Sequence, residues 1–104
     1  MPTEASNIIF HVARNADWQE SVGHDQYAPT AFKAEGFIHC CEPAQLPGVL
    51  QRYFNGQKDL LLLHLDKKKL MASLKYERST GNELFPHLYG VINKAAVVKV
   101  ELLR

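Results

Sequence analysis

The sequence predicts a compact α+β domain with a split sheet, mixed or mostly antiparallel, and two or three short helices. Three observations carry that class. Short β-branched or leucine-rich runs recur between turn residues, while only residues 43–55 hold a helical period of any length. The segments do not alternate as repeated βαβ units would. The chain has 104 residues, 46% hydrophobic and 22% charged, near the globular averages of about 45–50% and about 25%. One domain over residues 1–104, with a core from 8 to 102, fits that length.

Ile8 to Ala13 reads as a first strand, β-branched and apolar. Alternation puts His11 with Ile9 and Ala13, opposite Ile8, Phe10 and Val12. Asn15 is placed to cap a short helix from Ala16 to about Val22, and Gly23 to end it. Gln26 to Phe32 is a turn-rich link. Gly36 precedes a second strand from Phe37 to Cys40 or Cys41. There Phe37, His39 and Cys41 share a face.

The helix over 43–55 has Leu46, Val49, Leu50, Tyr53 and Phe54 at core spacing. Pro47 implies that its regular part begins near that residue. Asn55-Gly56 stops it. Asp59 to Asp66 is a strand apolar on both faces, hence buried on both. Lys67-Lys68-Lys69-Leu70 is a solvated turn, Leu74 to Arg78 a short strand, and Ser79 to Asn82 a loop. In Val97 to Leu102, Lys99 and Glu101 alternate with Val98, Val100 and Leu102, which predicts one solvated face.

Twelve basic against eleven acidic residues leave a formal charge of +1. No extended nucleic-acid surface is expected from that balance. No apolar run exceeds four residues, Leu60–Leu63 stopping at His64, far short of the roughly 18 residues of a membrane helix. Met1-Pro2-Thr3-Glu4 shows no signal-peptide pattern. The two cysteines, Cys40 and Cys41, are adjacent and match no zinc spacing. The expectation is a reduced, cytoplasmic protein whose free thiols point to opposite faces.

Five histidines are many for so short a chain. His24 lies in a polar turn, and His64 late in a buried strand suits a satisfied core histidine. His11 and His39 each interrupt an apolar strand, and the two could converge on a cleft with His87. If the stretch from Asn82 to Gly90 is extended, Glu83, Phe85, His87 and Tyr89 project to one side. A carboxylate, an imidazole and a phenol so gathered could hydrogen-bond a polyhydroxylated ligand or move protons. The alternative is a surface loop pinned by Leu84, Phe85 and Leu88. His11, His39, His87 and Glu83 could also supply a metal site, though no pair has a metal-motif spacing.

Phe10-His11, Tyr27-Ala28-Pro29, Glu35-Gly36-Phe37-Ile38-His39-Cys40, Arg52-Tyr53-Phe54 and Leu84-Phe85-Pro86-His87-Leu88-Tyr89-Gly90 occur in that order. On these strings the chain resembles the bacterial domain of unknown function 952 family, from about Ile8 to Leu102. That family is similar in fold to ADP-ribosyltransferases and RNA 2′-phosphotransferases. The resemblance implies a cleft that takes NAD or another nucleotide-like or sugar-phosphate ligand. It implies His11 as the first-strand residue that holds a ribose and Glu83, by order along the chain, as the late acid. His39, His87, Tyr89, Tyr27 and Arg52 make up the implied ligand-binding set. Such an enzyme would act at the ribose, where a cationic leaving group removes the need for a protein nucleophile and a carboxylate steadies the developing charge. The alternative is a non-catalytic ligand-binding or protein-interaction module on the same fold.

Overall fold

Leucine occupies both faces of the strand Leu60–Asp66 because that strand is central and has a core on each side. It is β4, paired antiparallel with β1 (Ile8–Arg14) and with β8 (Val97–Leu102) in the order β1-β4-β8. Leu61, Leu63 and Leu65 pack with Ile9, Ala13, Ile38 and Leu88 in one cluster. Leu60 and Leu62 pack with Val12 in a second, under Leu46, Val49, Leu50 and Phe54. Burying each of these leucines is worth about 1.5–3 kcal/mol, so β4 is the main anchor of the fold.

The computed structural model describes residues 7–104; Met1 to Glu4, read above for a signal peptide, lie outside them. The element order is β1, α1 (Asn15–Glu20), β2 (Gln26–Tyr27), α2 (Phe32–Glu35), β3 (Ile38–His39), α3 (Leu46–Tyr53), β4, β5 (Ser73–Arg78), β6 (Leu84–Tyr89), β7 (Ile92–Asn93) and β8. A second three-stranded sheet runs β3-β6-β5, and β2 pairs with β7. Every strand pairing among the described residues is antiparallel. The α+β class with a split antiparallel sheet and few helices is thus the observed one. No helix of the described residues is long and apolar enough to cross a membrane.

Several local expectations are corrected. Asn15 does not cap α1. It is the first helical residue, and its amide donates to Asp59 Oδ1 at 3.2 Å. The link after Tyr27 contains α2, only four residues long and closed by Gly36 at φ 82°. The helix over 43–55 does divide at its prolines, with its regular part beginning beside Pro47 as expected. Pro43–Gln45 form a 3₁₀ turn with a Glu42–Gln45 capping box, and α3 starts at Leu46. Tyr53 is turned out of the core stripe and hydrogen-bonds Thr80. β8 has no buried face; Val98, Val100 and Leu102 are all exposed.

Gly90 closes β6 where the chain passes Ala72. A Cβ there would stand 2.6 Å from the Ala72 Cβ. Gly90→Ala is therefore expected to destabilise by about 1–3 kcal/mol through overpacking. Urea unfolding of the variant measures this, and an unchanged midpoint with unchanged slope would contradict it.

Candidate active site

The two larger sheets meet along β1 and β3. Among the described residues one isolated bridge joins them: Phe10 N–H donates to Cys41 O and Cys41 N–H to Phe10 O, both at 2.8 Å. A cleft of about 400 Å³ lies at this split, lined by residues of both sheets and of α3. His11, His39 and His87 all line it. Three separated strands, β1, β3 and β6, bring these imidazoles together.

The three rings are not equivalent. His11 is buried, and both its nitrogens are engaged. Nδ1 donates to the His39 carbonyl at 2.7 Å. Nε2 then accepts from the Tyr27 hydroxyl at 3.3 Å. Burial lowers the His11 pKa to about 4, against an opposing pull from the hydrogen bond to His39 and from Asp17. So His11 is a neutral imidazole tying β1 to β3. The resemblance made it a ribose-holding or catalytic residue, but the structure commits both its nitrogens to the protein. Tyr27 is fully buried, and burial raises its phenol well above the usual value. It too is spent on His11.

His87 differs. Its Nδ1 lies 2.8 Å from Glu77 Oε1, so the ring donates that proton to the carboxylate. Tyr89 donates to the same oxygen at 2.6 Å. These two hydrogen bonds hold the Glu77 carboxyl below its ordinary value. Nε2, across the ring, is buried without a protein partner. Phe37 stacks on His87 with ring centres 4.3 Å apart. Phe37 also packs against His39, whose Nε2 meets Glu35 Oε1 at 3.1 Å at the solvent-exposed mouth.

Glu77 reaches His87 by sheet geometry. β5 and β6 pair with Glu77 opposite Phe85 and Lys75 opposite His87. Glu77 is therefore the diagonal neighbour of His87 on the same face. Glu77 was not singled out from the sequence, and Glu35 and Phe37 entered only in the string from Glu35 to Cys40 and, for Phe37, on the face of His39, with no role at the site. A hairpin folded about Ser79–Asn82, with alternation applied to residues 74–78, would have placed Glu77.

Three expected site residues do not line the cleft. Glu83 precedes β6, is exposed, and accepts from the Gln45 amide at 3.1 Å. Strand alternation therefore carries Phe85 and His87 to the cleft but leaves Glu83 beyond the end of the strand. Arg52 sits on the outer side of α3, its guanidinium over Tyr53 at 5.9 Å. Tyr89 reaches His87 indirectly, through the Glu77 carboxylate and through Phe37, whose ring centre lies 5.4 Å from its own.

The cysteines are free and buried. Burial pushes the Cys41 thiol up to about 12 and the Cys40 thiol higher still. Both stay protonated near neutral pH, which suits packing and not nucleophilic attack. Among the described residues no group of three His, Cys, Asp or Glu side chains converges as metal ligands would.

The family described as Protein of unknown function (DUF952) matches residues 12–100 of this chain. The crystal structure of protein CC0527 from Caulobacter crescentus is 29% identical, covering 89% of this chain and 82% of that one, with a TM-score of 0.81. The solution NMR structure of CC0527 is 28% identical, covering 93% and 84%, with a TM-score of 0.78. No curated protein matches the chain.

Proposed function

The chain belongs to the DUF952 family, and from that premise we propose that its cleft binds a small nucleotide-like or sugar-phosphate ligand and acts at the ribose. The reaction would be a transfer or glycohydrolysis of ADP-ribosyltransferase type, with NAD as a substrate and not a resident cofactor. One observation carries this reading. His87 is held at Nδ1 by Glu77 while its buried Nε2 has no protein partner. Leaving such a group unpaired costs about 1–3 kcal/mol, which a ligand hydroxyl would offset.

In this arrangement Nε2 accepts the proton of the water or acceptor hydroxyl whose oxygen bonds to the anomeric carbon as the nicotinamide–ribose bond breaks and neutral nicotinamide leaves. Glu77 steadies the imidazolium that results and keeps the ring in one tautomer. Phe37, stacked on His87, offers an aromatic face beside it for a base or nicotinamide ring. Glu35, lining the cleft, takes the part of the acid that steadies positive charge at the ribose. Glu83 has no part in this scheme.

Thermal shift with NAD, ADP-ribose and mononucleotides tests binding. A ligand at about 100 times its Kd adds about 2.7 kcal/mol, a rise of about 10–20 °C for a domain of this size. His87→Asn should abolish most of that rise. No shift with any of the three ligand classes overturns the proposal. A shift without turnover selects the second reading, a non-catalytic binding module. The engagement of both His11 nitrogens favours that second reading.

A further inference from the structure

β8 is an edge strand, and we propose that it pairs antiparallel with β8 of a second copy of this chain, about a two-fold axis at Val100. Among the described residues β4 is its one strand partner. The ladder runs Leu61 to Leu102, Leu62 to Glu101, Leu63 to Val100 and His64 to Lys99, and then meets a bulge. Leu103 N–H donates to Leu60 O at 2.9 Å. Amide direction alternates along a strand, so Glu101 and Lys99 also point their amides at β4. Val100 and Leu102 then turn theirs outward. Val98, Val100 and Leu102 are also 49%, 43% and 73% exposed, an apolar rim on an open edge.

The charges choose the partner. With Val100 facing its own counterpart, Lys99 of each copy lies opposite Glu101 of the other. Those are non-hydrogen-bonded positions, where facing side chains come closest. Centring the pair on Lys99 or on Glu101 would instead set like charges face to face. Of these three registers, only the one at Val100 satisfies the outward amides and both charges together. Glu101 is also held in place, because His64 Nε2 lies 2.7 Å from its Oε1. The product is one continuous sheet, β1-β4-β8 followed by β8-β4-β1 of the second copy. The bulge at Val98 keeps the paired segment short, so the dimer depends on concentration. This inference stands apart from the cleft chemistry.

Sedimentation equilibrium of the full chain, up to about 1 mM, tests it. Wild type is expected to dimerise. Lys99→Glu should raise the dimer Kd about tenfold or more, because two symmetric charge pairs change sign. The double variant K99E/E101K should return to within about threefold of wild type. Val100→Pro removes an outward N–H and should give a monomer. Lys99 is exposed, so its variant keeps the test valid should the proline variant fail to fold. A wild type monomeric throughout, or a dimer indifferent to K99E, overturns the proposal.

Discussion

His87→Asn is expected to lower turnover at a ribose by a factor of about 10²–10⁴, the usual worth of a positioned general base. Asparagine can still donate a proton to Glu77 from near the Nδ1 position, so the hairpin contact survives while the acceptor at Nε2 is lost. Glu77→Gln should fall in the same direction, because a neutral amide no longer steadies the imidazolium or fixes its tautomer. Glu77 is exposed enough that its loss should leave the melting temperature nearly unchanged. Glu83→Gln should change neither rate nor affinity, since its carboxylate meets Gln45 outside the cleft. Steady-state kinetics on the three variants checks the set. A rate lost at Glu83 and kept at His87 would invert the assignment.

Acidification is expected to remove about 3 kcal/mol of stability through His11 alone. Its pKa is lowered by burial to about 4 in the folded chain, from 6.5 in the unfolded one. Between those values the unfolded state holds more protons, so stability falls as the pH drops through that window. Above about 6.5 the contribution is fully present, and below about 4 it is gone. His11→Asn keeps a donor for the His39 carbonyl but cannot titrate. Urea unfolding from pH 8 to pH 4 should show a slope reduced by about one proton in that variant over this window. An unchanged slope would mean that His11 is not the titrating group.

Much of the fold was legible because its largest elements carry their own periodicity. Leucine on both faces of residues 60–65 announced a strand buried on both sides, which the structure places at the centre of its sheet between two cores. The split of the 43–55 helix at its prolines followed from the missing amide hydrogens. What escaped was short or set by tertiary contact. α2 spans four residues, too few to nucleate alone, and β2 and β7 are two residues each. The alternation of β8 is real, but an edge strand need not bury its apolar side. The convergence of His11, His39 and His87 was visible as interruptions of apolar runs and in a run of alternating residues. The roles of the rings were not, because they depend on what each nitrogen meets. His11 is closed off by Tyr27 and a carbonyl, while His87 is opened by Glu77, which lies ten residues earlier on a paired strand. Extending the face of residues 83–89 back to Glu83 overlooked that β6 begins only at Leu84.

The most direct measurement is a ¹⁵N-resolved NMR titration of the histidine rings with ADP-ribose. In the free protein His87 should carry its proton on Nδ1, with Nε2 bare. Saturating ligand should shift His87 Nε2 toward the hydrogen-bonded range and perturb His39, while His24 and His64, which do not line the cleft, stay in place. A His87 ring protonated on Nε2 in the free protein, or ligand-induced shifts confined to His24 and His64, would contradict the assignment of this cleft.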